Sequence, residues 1–181
     1  MLLKEIFENC KGLIGLSQDT LIKVTSDDHE TGNAFILVFA WSSITSLFYF
    51  NRVGLEILYP VFDHLFAWVI GSFGAWFLLV RVFRESLNLQ GLITLTGYSH
   101  VILYLILFLA KFNTCDNPLL GCSFNAQITT IFLLLLIFWF YFVIQKGLQV
   151  GYIMEKKSAS SASIVFLVIL FFYSDLLKLF I

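Results

Sequence analysis

The chain has 181 residues, of which 59% are hydrophobic and 13% are charged, and its mean hydropathy is +0.89. Because soluble domains carry roughly 25% charged residues, this composition excludes a water-soluble fold and makes the lipid bilayer the expected partner. The formal net charge of −1 offers no basic surface to a polyanion, so nucleic acid is excluded as a partner.

The first 33 residues are predicted to form a cytoplasmic amphipathic helix and a polar linker. Apolar side chains recur at helical spacing over residues 3–14, and Lys and Glu side chains occupy the opposite face. Such a helix lies on the membrane surface or caps the end of a bundle, and the two interpretations are compatible. No uncharged stretch here is long enough for a secretory signal peptide, so the first apolar run is expected to act as an uncleaved signal.

The linker, residues 17–33, contains the consecutive residues Asp27, Asp28, His29 and Glu30. These are metal-ligand types, but consecutive side chains cannot all point at one ion. We therefore predict a solvated turn that leads into a helix at this position.

Five apolar runs follow, and each approaches the ~20 residues that a helix needs to cross a hydrocarbon core. They cover residues 34–50, 61–80, 92–110, 126–143 and 161–179. The predicted fold is all-α: a polytopic membrane bundle of five transmembrane helices in residues 34–181, preceded by the interfacial helix. The third run holds the most polar groups, so we expect it to be the central helix.

The positive charges predict an orientation. Eight of the 11 Lys and Arg residues fall on one side of a five-span arrangement: Lys4, Lys11, Lys23, Arg81, Arg84, Lys146, Lys156 and Lys157. Since cytoplasmic loops collect Lys and Arg, the N-terminus is predicted to be cytoplasmic and the C-terminus non-cytoplasmic. Cys115 and Cys122 then lie on the non-cytoplasmic side, where disulfides persist, and form a candidate disulfide.

A candidate functional polar cluster lies in the third span and consists of Thr94, Tyr98, Ser99 and His100. His100 is an ionisable group at depth, and such a group is a functional candidate in a membrane protein. The alternative, which we favour, is a neutral imidazole that bonds between helices. Its candidate partners are Ser42, Ser43 and Ser72.

Small residues in the second span predict a packing surface. Gly71 and Gly74 lie one turn apart with Ser72 between them, which favours close helix approach. Asp63 and His64 stand where this span begins. They are either a proton-handling pair or, as we favour, a polar entrance at the headgroup level.

No hydrolase, zinc-protease or phosphate-loop motif is present in the sequence. The three histidines, His29, His64 and His100, fall at three different levels of the predicted topology and cannot jointly hold one metal. We therefore predict no catalytic residue, no metal and no cofactor.

Several stretches resemble the Yip family, the Rab/Ypt-interacting five-span membrane proteins. The likeness rests on the polar N-terminal region, the spans, the patch Gly97-Tyr98-Ser99, and the run W-F-Y-x-x-x-x-K-G-L over residues 139–148. The resemblance implies a non-enzymatic helical bundle, and eukaryotic members of the family act in membrane traffic and organelle shape.

The predicted function is a membrane scaffold or adaptor that acts through helix packing and its cytoplasmic face, with a protein partner or as a homo-oligomer. One alternative is a small transporter or transporter subunit, which requires a water-accessible cavity that reaches Thr94, Tyr98 and His100. Another is an accessory subunit of a larger membrane complex.

Overall fold

The computed structural model describes residues 2–48, 58–113 and 126–173, and in these residues it contains seven helices and no strand. Two short helices come first, α1 (Leu2–Ile14) and α2 (Gln18–Ser26). The long helices follow: α3 (Glu30–Phe48), α4 (Leu58–Arg81), α5 (Leu89–Asn113), α6 (Ala126–Gly151) and α7 (Lys156–Tyr173). The predicted all-α class is confirmed.

Each long helix contains most of one predicted apolar run, but the helices extend into flanking polar residues. α3 begins at Glu30, before the run that starts at residue 34, and α6 continues to Gly151, past residue 143. A helix is held by its backbone hydrogen bonds, so it can continue through polar residues that follow or precede an apolar run. For the same reason, the predicted polar linker contains α2 and the first turn of α3.

Three helices in the described part of the chain are long and apolar enough to cross a membrane: Leu58–Arg81, Ile131–Gly151 within α6, and Lys156–Tyr173. The structure therefore supports three such helices rather than the five predicted. The polar first turn and the hydroxyl side chains of α3 lower its hydropathy.

The outward faces of the apolar helices carry large hydrophobic side chains. Phe62, Phe66 and Phe73 of α4, and Leu134 and Phe138 of α6, are between 50% and 63% exposed. Monomeric soluble proteins rarely expose apolar surface on this scale, so this surface is consistent with a membrane protein.

α5 is the most central helix, because it packs against α1, α2, α3, α4 and α6. The prediction that every other span packs on the third run needs one correction, since α7 packs chiefly against α4 and α6. α1 contacts α5 near Tyr98, and α2 contacts the first turn of α5 and the last turn of α6. The face of α1 turned to the bundle holds Ile6, Cys10 and Leu13, all buried.

The two glycines predicted to form a packing surface lie against α7. A Cβ atom added at Gly71 would stand 3.1 Å from the ring of Phe166, and one added at Gly74 would stand 2.7 Å from Ile169 Cδ1. Because neither glycine has a side chain, α4 and α7 can approach closely along their contact.

Three segments meet at the end of the bundle that carries α2. The hydroxyl of Tyr152, just after α6, donates to the carbonyl oxygens of Thr25 and Asn88, each at 3.3 Å. Gly91 in the first turn of α5 lies beneath this contact. A Cβ atom added there would clash with the Thr25 carbonyl oxygen and with the Tyr152 hydroxyl.

We predict that Gly91→Ala destabilises the protein by about 1–3 kcal/mol, because the new methyl group forces α2 away from α5. The matched control is Gly32→Ala in α3, where an added Cβ meets nothing within 4 Å. Since Ala is a better helix former than Gly, the control should be neutral or stabilising by about 0.5–1 kcal/mol. Thermal unfolding in detergent measures both variants, and equal effects would contradict the close approach.

Candidate functional site

A buried carboxylate lies where the short N-terminal helices meet the bundle. Glu30 is 1% exposed, and its Oε1 accepts a hydrogen bond from Asn9 Nδ2 at 2.8 Å and pairs with Lys23 Nζ at 3.0 Å. Its Oε2 accepts from Asn33 Nδ2 at 2.8 Å and from the hydroxyl of Tyr98. Both oxygens are therefore satisfied by protein groups, as a buried charge requires.

The donors come from different parts of the chain. Asn9 lies on α1, Lys23 on α2 and Tyr98 on α5, while Asn33 lies one turn after Glu30 on α3. Lys23 also pairs with Glu5 of α1 at 2.8 Å. We call Glu30 and its donors Asn9, Lys23, Asn33 and Tyr98 the Glu30 network. This network ties α1, α2, α3 and α5 to one carboxylate.

The hydrogen bonds keep this carboxylate ionised. Burial raises the pKa of Glu30, but the hydrogen bonds from Tyr98, Asn33, Lys23 and Asn9 outweigh burial and bring the pKa down to about 2. The negative charge acts on its neighbour Cys10. Burial first, and then the charge of Glu30, raise the pKa of the Cys10 thiol to about 11, which keeps the thiol protonated.

The prediction of a solvated turn at residues 27–30 is correct for the turn and wrong for Glu30. Asp28 and His29 are exposed, and Asp27 Oδ1 accepts from the His29 backbone N–H at 3.0 Å. Glu30 differs because it is the first residue of α3. Its side chain is directed into the contact with α1 and α5, where the donors stand.

We predict that Glu30→Gln destabilises the fold by about 2 kcal/mol, since hydrogen bonds to a charged acceptor are lost. The folded-state pKa of about 2 lies below the ordinary 4.5. The wild type should therefore keep the full contribution of Glu30 above about pH 4.5 and lose it as the pH falls towards 2.

The Glu30→Gln variant should lack this part of the acid dependence. Glu8→Gln is the matched control, because Glu8 lies on α1 with a side chain that is 65% exposed. Thermal unfolding in detergent between pH 2 and 7 tests the pair. A wild type and a Glu30→Gln variant with parallel pH profiles would refute the charged network.

All members of the predicted polar cluster in the third span, Thr94, Tyr98, Ser99 and His100, are 0% exposed. They do not form one site. Tyr98 binds Glu30, the Thr94 hydroxyl lies 2.8 Å from that of Thr31, and Ser99 donates to the carbonyl of Leu95 in its own helix at 2.8 Å.

His100 pairs with a second histidine. Its Nδ1 lies 2.8 Å from the Thr96 carbonyl oxygen, which can only accept, so the proton is on Nδ1. The unprotonated Nε2 then accepts from Nε2 of His64 at 3.1 Å. This pairing requires His100 to be neutral. The indole of Trp41 covers His64, with ring centroids 4.4 Å apart.

The histidine pair corrects two predictions. His64 is only 4% exposed, so it belongs to the core and is not a polar entrance at the headgroup level. The serines expected to bind His100 bond elsewhere. Ser42 and Ser43 donate to carbonyls of their own turns at 2.8 Å, and Ser72 lies 2.9 Å from the Thr96 hydroxyl. The Thr96 hydroxyl also accepts from Trp68 Nε1 at 3.0 Å.

We predict that His64→Leu destabilises the protein by about 1–3 kcal/mol, because it leaves His100 Nε2 buried without a donor. Combining it with His100→Leu should cost less than the sum of the two single changes, with a coupling of about 0.5–3 kcal/mol. Ser42→Ala is the control, because the Ser42 hydroxyl donates to the carbonyl of its own turn. Its effect on the free energy of unfolding should add to that of His64→Leu without coupling. Unfolding in mixed detergent micelles measures the cycle, and strict additivity of the two histidine changes would disprove the pairing.

The sequence reasoning missed four side chains that make buried polar contacts: Asn9, Lys23, Asn33 and Trp68. Asn9 carries a detectable signal, because it stands on the apolar face of α1, one turn after Ile6 and one turn before Leu13. An amide among apolar side chains indicates a buried polar partner. Lys23 and Trp68 carry no comparable signal, since their partners are distant in sequence.

Within the residues that the structure describes, no group of three or more His, Cys, Asp or Glu side chains could hold a metal ion. Cys115 and Cys122 lie outside the described residues, so the candidate disulfide stays a prediction. Comparisons with protein-family models, curated proteins and solved structures give no match to this chain. The resemblance to the Yip family therefore also stays a prediction.

Proposed function

We propose that this chain is a five-span membrane protein that acts as a non-enzymatic scaffold or adaptor and binds a protein partner through its cytoplasmic end. The proposal treats α3 and α5 as spans in addition to the three apolar helices. The exposed apolar side chains on the outer surface of α4 and α6 support this proposal. So does the sequence resemblance to the Yip family through Gly97, Tyr98 and Ser99.

The observation that carries the proposal is Ile153, in the connection between α6 and α7. Its side chain is 91% exposed, and its φ of 55° lies in the left-handed region. A β-branched residue is a steric outlier there, and such strain costs about 1–3 kcal/mol. Leu16 and Arg84 also have a left-handed φ just after a helix end, so the exposure of Ile153, more than its φ, is what leads us to assign its side chain to a contact outside the chain.

Ile153 lies at the end of the bundle that carries α2, because the neighbouring Tyr152 binds the Thr25 and Asn88 carbonyls. By the distribution of Lys and Arg, this is the cytoplasmic end. Val82, in the α4–α5 connection, is 62% exposed at this end as well. An apolar side chain that is almost fully exposed outside the spans is a candidate for a protein contact.

The interior favours a scaffold over the transporter alternative. A transporter that used the third span would need water to reach Thr94, Tyr98 and His100, and all three are 0% exposed. Their polar atoms bind protein groups, including His64 and Glu30. Paired polar groups of this kind hold helices together and explain these residues without a transport path.

We predict that Ile153→Asn separates stability from partner binding. Asn tolerates the left-handed region, so the variant should be more stable than the wild type by about 1 kcal/mol or more, while it loses the partner. Ile153→Leu is the matched control, because it keeps an apolar side chain and should keep the partner. Photo-crosslinking in native membranes detects the partner, with the photoreactive residue at position 153 or, for comparison, at 134. Co-purification of that partner then compares the wild type with the Ile153→Asn and Ile153→Leu variants.

Position 134 is a suitable comparison because Leu134 is 61% exposed but lies in the middle of the apolar helix α6. A discrete protein adduct from position 153 and none from position 134 supports the proposal. An adduct of twice the mass of the chain identifies a second copy as the partner. The proposal fails if position 153 gives no protein adduct, or if the Ile153→Asn variant retains the partner.

A further inference from the structure

A pocket of about 520 Å³ lies between α1 and the helices that it covers. α1 contributes Ile6, Cys10 and Lys11 to its wall, and α5 contributes Val101 and Tyr104. This volume is within the range of about 300–1,000 Å³ that small-molecule sites occupy. The pocket is therefore large enough to hold a ligand.

The interior of this pocket is apolar. The hydroxyl of Tyr104 is turned to the Leu37 carbonyl oxygen, to which it donates at 2.9 Å, so the wall presents ring carbons rather than a polar group. The Cys10 thiol stays protonated because burial and the charge of Glu30 raise its pKa to about 11. This lining therefore favours a hydrocarbon chain as the part of a ligand that fills the pocket.

Lys11 is the one charged residue among those that line the pocket. The ion pairs found among the described side chains involve Lys4 and Lys23, and Lys11 takes part in none of them. Its side chain is exposed, so the ammonium group stands at the mouth. Phe7, which also lines the pocket, is 70% exposed, so the mouth opens at the outer surface of the amphipathic helix.

We infer that this pocket binds one acyl chain of an anionic phospholipid from the surrounding bilayer, and that Lys11 binds the lipid phosphate. A hydrocarbon wall with a single cation at its mouth is complementary to an amphiphile whose head is negative. The inference goes beyond the scaffold role, and it rests on the membrane location of the chain under "Proposed function". It does not depend on the partner at Ile153.

Native mass spectrometry of the delipidated full-length protein in detergent tests this site. The probes are phosphatidylglycerol and phosphatidylcholine with identical acyl chains. The wild type should retain phosphatidylglycerol about fivefold more strongly, the factor that one Lys near an anionic headgroup provides. Glycerol phosphate, which has no acyl chain, should not compete.

Lys11→Gln should remove the preference for phosphatidylglycerol. The matched control is Lys4→Gln, because Lys4 lies on the same helix with a side chain that is 83% exposed and does not line the pocket. The control should keep the fivefold preference. Leu37→Trp, which fills the pocket, should weaken the retention of both lipids.

Three results would overturn the inference: equal retention of both lipids by the wild type, an equal loss in the Lys4→Gln and Lys11→Gln variants, or full retention by Leu37→Trp. Extraction of native membranes with alkaline carbonate tests separately whether the chain is an integral membrane protein. A chain released by carbonate refutes the proposed membrane function. A chain that stays in the membrane but shows no dependence on Lys11 refutes only the lipid site.

Discussion

A carboxylate that leaves water must regain its hydrogen bonds from the protein, and the arrangement around Glu30 follows from this requirement. Its donors come from α1, α2 and α5 as well as from its own helix. Removing any of these helices would leave a buried charge partly unsatisfied. The two short N-terminal helices are therefore held as fixed parts of the bundle, although each is too short to be stable alone.

The core of the bundle repeats this principle with neutral groups. Thr96 of α5 connects Trp68 and Ser72 of α4, and one turn later His100 connects to His64. In a lipid environment, apolar side chains gain little by leaving the solvent, so such contacts together with close packing hold the helices in register. α5 thus supplies polar contacts on several of its faces, to Glu30, Thr31, His64 and Trp68.

Part of this architecture could be predicted from the sequence. The long apolar runs locate α3 to α7, because a helix buried in lipid or in a bundle needs uninterrupted hydrophobic side chains. The ends of α3 and α6 were misplaced, since flanking polar residues are helical as well. The small residues Gly71 and Gly74 lie in a tight contact whose partner helix, α7, could not be named in advance.

The polar sites were harder to predict, for a physical reason. The pairing of His64 with His100 depends on the register of α4 against α5, which no local pattern encodes. Glu30 looked solvated because Asp27, Asp28 and His29 precede it, whereas donors as distant in sequence as Asn9 and Tyr98 lie against it in the structure. Long-range partners decide whether a charged side chain is buried, and single-sequence patterns describe only near neighbours.

The order in which the ribosome delivers these groups has a consequence for biogenesis. Asn9, Lys23 and Asn33 all emerge close to Glu30, but Tyr98 follows 68 residues after it. Until the fifth helix has been made, the carboxylate lacks one of its donors and the covering helices lack the surface on which they rest. The amino-terminal segment is thus translated first but reaches its final position late, and a nascent chain stalled before Tyr98 would expose it to proteases and chaperones.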